Sequence, residues 1–366
     1  MNWIDKYGEL LASYSLYLKP GELVFVRATT LAESLVQSFY KHATKLGAIV
    51  EVEWIFDGQQ DILLEYGNED QLKYVNPRSL ALIQECNAYI LIRAPFQSNK
   101  DMAETDPNKV QLLTEANAAF SKIYFERLGN GSLKRSLCQF PTQQGADQAN
   151  MSLDEYATFI QKACFLDREQ PAEHWLDISK MQQGIVDYLN PCKVMRYEHQ
   201  NWSIEFGVEG RTWINSDGKS NMPSGEVFTS PIEDSINGTI YFDYPTLMFG
   251  KDVQGITLEV KDGVIQSWSA NVGQEVLDQV FAIEGTRVFG EAAIGTNPNI
   301  QQATKNILFD EKIGGTVHMA VGQSYYQCGG KNKSTVHWDL ITNMKNGGRI
   351  YADGKKIYEN GQFLIG

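Results

Sequence analysis

Two histidines in the C-terminal part of the sequence sit in matching contexts, "GGTVHMAVG" around His318 and "STVHWDLI" around His337. On an extended strand, successive side chains point to opposite faces. His318 therefore shares a face with Thr316 and Ala320, opposite Val317, Met319 and Val321. His337 shares one with Thr335 and Asp339, opposite Val336, Trp338 and Leu340. Each strand has an apolar face that seeks a core and a second face that offers an imidazole, in the later strand beside a carboxylate. Imidazole and carboxylate are ligands for divalent metals. A strand histidine taken alone is more often a hydrogen-bonded core or surface residue than a ligand, and it is the pair together with Asp339 that shifts the balance.

Carboxylates add to the set. Glu226 lies in "NMPSGEVFTSP" and Glu291 in "RVFGEAAIG", each flanked by glycine and apolar residues. A lone carboxylate is costly to bury in such surroundings, and a cation removes the cost. Glu311, in "LFDEKIGG", is a further candidate, although its neighbours Asp310 and Lys312 suit a solvated turn as well. Glu226, Glu291, Glu311 and Asp339 with two neutral imidazoles balance two divalent cations, whereas a single ion needs only about three or four protein ligands. Two ions about 3.5–4 Å apart share and activate a water and clamp the reacting group, which suits hydrolysis of a carbonyl compound. Tyr325, shortly after His318, is placed to donate a hydrogen bond to the oxyanion of a tetrahedral intermediate. It is also one of 17 tyrosines, and on position alone it reads first as a packed aromatic.

The elements that must position these residues follow from periodicity. Beyond residue 192 come short strands, "WSIEFGV", "TIYFDYP", "QGITLEVKDGVIQSWSA" and "RIYADGKKIYENGQFL", several joined by Asp-Gly or Asn-Gly turns. They predict an α+β domain rich in antiparallel strands. The first half alternates instead: "ELVFVRA" as strand, "LAESLVQSFYKHATKLG" as helix, "AIVEVEWIF" as strand, and so on through "AYILIRAP", "KVQLLTEANAAFSKI", "RSLCQF" and "LDEYATFIQKACF". That alternation predicts an α/β domain with a mostly parallel sheet. With "DREQPAEHWLDISKMQQGIVDYLN" as a connector helix, the expected division is 1–190 for the α/β scaffold domain and 191–366 for the metal-binding catalytic domain. Glycine fingerprints for phosphate are absent, since "GNGSLK" has neither GxGxxG nor GxxxxGK spacing. The first domain is thus expected to act as scaffold, partner surface or substrate-tunnel wall.

A chain of 366 residues with 43% hydrophobic content buries a large core and suits two domains. Its formal net charge of −13 argues against nucleic acid or an anionic membrane surface as partner. Cys86, Cys138, Cys164, Cys192 and Cys328 are scattered without CxxC spacing, so no disulfide framework or thiolate zinc site is expected and a reducing cytoplasm fits. The start, "MNWIDKYGELLASYSLYLKPGE", reads neither as a signal peptide nor as a membrane span.

In order, "NMPSGEVFTSP", "GEAAIG", "LFDEKIGGTVHMAVGQSY" and "STVHWDL" resemble the M29 family of metallo-aminopeptidases. The resemblance covers most of the chain, with its specific motifs between 221 and 340. It implies a two-domain hydrolase whose C-terminal domain binds two divalent ions, zinc or cobalt foremost, with manganese or magnesium as alternatives. Glu226, Glu291, His318, His337 and Asp339 match the family's ligands, with Glu291 as the bridge between ions, and Tyr325 matches its catalytic tyrosine; a carboxylate not fully engaged by metal, Glu291 or Glu311, would shuttle the proton to the leaving amine. Glu311 falls where members carry a ligand glutamate, but two extra residues separate it from His318. The resemblance also implies homodimers that enclose the active sites and act on short peptides. The segment from His318 to His337 is shorter than in well-known members, which leaves substrate size open.

Two other functions compete. His318, His337 and Asp339 alone form the two-histidine, one-carboxylate set of mononuclear non-haem iron enzymes, and ring-cleaving dihydroxypyridine dioxygenases resemble this scaffold. Glu226 with Glu291 is the discriminator, because one iron has no need of both. A non-catalytic metal-binding protein is the third reading, and it leaves Tyr325 without a role.

Overall fold

A computed structural model describes residues 2–97 and 106–365. The chain divides into two compact units, Met1–Ala172 with Gly218–Met222 and Glu173–Asp217 with Pro223–Gly366.

The first unit is built on a parallel sheet of five strands, in the order Ile49–Ile55, Leu23–Thr29, Ala88–Arg93, Lys134–Gln139 and the short Asn221–Met222. Parallel strands need crossovers, and helices such as Glu33–Lys45 and Pro77–Glu85 supply them. Leu35, Val36, Phe39 and Ala43 of the former are buried, which is the stripe its helical spacing predicts. Asn76 caps the latter ahead of Pro77, and a Ser152–Glu155 capping box starts Leu153–Ala163. The opening residues, without assigned structure from sequence, form the helix Trp3–Leu10. Its Asp5 pairs with Lys41 and His42 of helix Glu33–Lys45.

The division falls earlier than the expected 190/191 boundary, because helix Pro171–Leu189 lies mostly in the second unit. Its Ile185, Val186 and Leu189 join that unit's core, and its buried Gln182 hydrogen-bonds there. Change of local texture marks where strands begin, but a helix belongs with whatever covers its apolar face.

The second unit has two antiparallel sheets. The larger, of nine strands, runs from Thr246–Met248 through Lys251–Lys261, Asn237–Phe242, Trp202–Gly207, Val194–His199, Arg349–Ala352 and Lys355–Glu359 to Gln362–Phe363, with Val264–Val272 paired to Lys251–Lys261. Asp262-Gly263, Asp353-Gly354 and Asn360-Gly361 each have positive φ at both residues, the backbone twist that tight hairpins demand. The smaller sheet orders His337–Asn343, Thr316–Gly322, Phe289–Gly295, Glu226–Thr229 and Ile214–Ser216. One apolar cluster unites Val317, Met319, Val321, Trp338 and Leu340 of this sheet with Met195, Ile204, Phe206, Ile256 and Leu258 of the larger one. The apolar face expected of each histidine strand is thereby buried. Among the described residues no helix is long and apolar enough to cross a membrane.

Candidate metal centre

Register brings the candidate ligands to the other face of the smaller sheet. Ala293 pairs with His318, Ala320 with both Glu291 and Asp339, Gly322 with His337, and Gly295 with Glu226. Directly paired residues share a face, so Glu226, Glu291, His318, His337 and Asp339 all project from one side. Simple alternation would put Phe289 and Glu291 on the same face. A bulge between them resolves the conflict: Phe289 pairs with Val321 toward the core and Glu291 with Ala320 toward the site. Gly290 is the extra residue, and a Cβ there would lie 2.3 Å from the Gln323 carbonyl oxygen. Gly225, immediately before Glu226, has a φ of +119°, and a Cβ there would lie 2.7 Å from that of Asn297.

The side chains form two clusters. Glu226, Glu311 and His318 each bring one ligand atom within 4.8 Å of the others, as do Glu291, His337 and Asp339. Glu291 joins them, with Oε2 3.0 Å from His337 Nε2 and Oε1 3.7 Å from His318 Nε2. Asp339 Oδ1 is 3.4 Å from His337 Nε2, and Glu226 Oε2 is 3.6 Å from His318 Nε2. His337 Nδ1 donates to the Gln323 carbonyl at 2.7 Å, so Nε2 is the nitrogen that faces the carboxylates and that would bind a metal.

Polar atoms in this cluster lack hydrogen-bond partners although they are buried: both ring nitrogens of His318, Oε2 of Glu226 and Oδ1 of Asp339. Buried polar atoms are rarely left so, and cations held here would satisfy the two carboxylate oxygens and one ring nitrogen of His318. The residues therefore fit a divalent metal.

The electrostatics agree. Burial raises the Glu226 carboxyl above its ordinary value, with Lys312 and His318 pulling the other way. Burial opposes ionisation of Glu291 and Asp339 too, but the histidines win. Contacts from His318 and His337 hold Glu291 below its usual range, and His337 holds Asp339 at about 2. His337 and His318 are correspondingly raised, against burial, by these carboxylates. The carboxylates thus draw positive charge onto the imidazoles, charge that a bound metal replaces.

Glu311 and Lys312 do not form a solvated turn. They follow the short helix Ile307–Asp310, and the Lys312 side chain is fully buried. Its Nζ contacts Glu311 and lies 3.6 Å from Glu226 Oε1, while burial pulls the ammonium below its usual range. Sequence reasoning missed Lys312 because two adjacent charges ordinarily signal exposure. Tyr325 sits at the rim, 36% exposed, with its ring edge-on to His337 at 5.1 Å and tilted on Phe228 at 5.2 Å. Gln182 was missed as well. Its Nε2 donates to the Glu226 carbonyl at 3.0 Å and to Asn215 Oδ1 at 2.6 Å, fixing the start of the Glu226 strand.

A buried sheet face carrying linked histidine–carboxylate clusters defines a metal-dependent enzyme. The family model described as thermophilic metalloprotease (M29) matches residues 2–363, and the chain belongs to this family of metallopeptidases. Aminopeptidase 2 of Geobacillus stearothermophilus is 27% identical, over 99% of this chain and 98% of that protein. Aminopeptidase PepS of Streptococcus thermophilus is 25% identical over the same shares. The solved structure of wild-type AmpT from Thermus thermophilus shares the fold, with a TM-score of 0.84 at 21% identity over 99% of each chain. A 2,5-dihydroxypyridine dioxygenase from Pseudomonas putida shares it more distantly, with a TM-score of 0.60 at 14% identity, over 99% of this chain and 96% of the other.

Proposed function

We propose that this protein is a metal-dependent aminopeptidase that removes N-terminal residues from short peptides. Glu291, His337 and Asp339 would hold one divalent ion, and Glu226, Glu311 and His318 a second. The observation that carries the reading is Glu291 reaching toward both histidines, one oxygen each, within a chain of the M29 family. Zinc or cobalt suits the imidazole–carboxylate donors best, with manganese or magnesium as alternatives. When bound, such ions acidify a water and polarise the scissile carbonyl.

The chain's own residues do the rest. Gln323, through its carbonyl, keeps His337 in the tautomer that offers Nε2. The Tyr325 phenol, at the exposed rim beside His337, donates to the oxyanion of the tetrahedral intermediate. A carboxylate oxygen not engaged by metal, of Glu291 or of Glu311, takes the proton from the attacking water and passes it to the leaving amine. Five free, buried cysteines support a reducing, cytoplasmic setting. The family resemblance supports a homodimer.

Release of p-nitroaniline from a panel of aminoacyl anilides, after reconstitution with zinc, cobalt or manganese, tests the activity. Glu291→Gln should abolish release while the far-UV spectrum stays unchanged, and near wild-type turnover would refute its assignment. No release with any metal, combined with iron-dependent oxygen uptake on a dihydroxypyridine, would replace this reading with the dioxygenase. The Glu226–Glu311–His318 cluster speaks against that alternative, since a single iron has no use for it.

A further inference from the structure

The two halves of the centre differ in the cation beside their carboxylates: one of them holds a lysine ammonium, which cannot serve as a metal ligand while it carries its proton. Lys312 has no exposed side-chain surface, and its ammonium lies 3.6 Å from Glu226 Oε1 and in contact with Glu311 Oε1. Those two carboxylates belong to the Glu226–Glu311–His318 half. In the other half, Glu291 and Asp339 face histidines, whose rings can be neutral ligands. The Lys312 backbone is tied on both sides, its N–H to Phe309 O and its carbonyl to Asn297 N–H, both at 3.0 Å. Only the flexible side chain is free to yield the position.

We propose that Lys312 is a resident cation that competes with metal for the Glu226–Glu311–His318 half, so that the two halves load unequally. This rests on the metal-centre reading above and concerns how the centre fills. An ammonium and a divalent ion drawn to the same carboxylate oxygens repel one another, and a buried position leaves little water or salt to screen them. The first ion therefore enters at Glu291–His337–Asp339. The second binds only as the Lys312 side chain swings away from Glu226 and Glu311.

The test is calorimetric titration of the metal-free chain with zinc, with metal content measured after dialysis. Wild type should retain one ion per chain and bind a second roughly 100-fold more weakly or worse. Lys312→Met should bring the second affinity to within about tenfold of the first, while Lys312→Arg, which keeps the charge, should leave the gap open. Two ions of matching affinity in wild type, or an unchanged gap in Lys312→Met, would overturn the inference. Should Lys312→Met fail to fold, cobalt(II) electron paramagnetic resonance of wild type decides independently. One equivalent should give isolated ions, and spin-coupled pairs at one equivalent would refute unequal loading. Matching affinities with anilide hydrolysis intact remove this inference alone; no bound ion and no hydrolysis remove the proposed function with it.

Discussion

Gly290→Ala adds one methyl group away from any ligand atom, yet it should weaken metal binding. The new Cβ would lie 2.3 Å from the Gln323 carbonyl oxygen and 2.6 Å from that of Gly322, where ordinary contact begins at 3.4 Å. One side must therefore retreat by about 1 Å. Neither is free to do so. Gln323 O accepts the Nδ1–H of His337 at 2.7 Å, and Gly290 O accepts the Ser230 hydroxyl at 2.7 Å. If the Gln323 carbonyl moves, His337 loses the partner that sets its tautomer; if the bulge moves, Glu291 is re-aimed. Overpacking of this kind costs about 1–3 kcal/mol of stability, and loss of a ligand's supporting hydrogen bond costs about 10–100-fold in metal affinity. Urea denaturation of the metal-free chain and calorimetric titration with zinc measure the two effects separately. A Kd within about threefold of wild type, beside the expected loss of stability, would show that the bulge packs the sheet without aiming the ligands.

Three further outcomes are expected. Gln182→Ala should destabilise the chain by about 2–3 kcal/mol, because Glu226 O, Ser216 O and Thr296 Oγ1 lose a buried partner; thermal unfolding reads this. Gly184→Ala, within helix Pro171–Leu189 and with open space where the methyl would go, should instead stabilise by about 0.5–1 kcal/mol, and a lower melting temperature would contradict the helix assignment. Asp5, held at about 2 against a usual 3.8 chiefly by Lys41 and then His42, gives a pH-dependent case. A depressed folded pKa supplies stability that is complete above 3.8 and lost as pH falls through 3.8 toward 2. The stability gap between wild type and Asp5→Asn, about 1 kcal/mol at neutral pH for a partly exposed pair, should shrink across that window.

Alternation is a local property, which is why so much of the centre was legible. "GGTVHMAVG" and "STVHWDLI" place their histidines opposite an apolar stripe wherever those strands lie, and the stripes are indeed buried together. The Asp-Gly and Asn-Gly hairpins and the alternation of strand and helix in the first unit follow from equally short-range preferences. Pairing between distant segments is not local. No sequence period could announce that a bulge at Gly290 turns Glu291 away from the face of Phe289, since the bulge exists only against Val321 and Ala320. Helix Pro171–Leu189 likewise finds its partners in residues that arrive later in the chain. Lys312 is the sharpest case: beside Asp310 and Glu311 it reads as solvent-facing, and it is buried because Glu226, brought in across the sheet, supplies the charge that water would otherwise provide. Residue types and spacing therefore point to the candidate ligands, while long-range packing sets their aim and places a buried ammonium among them.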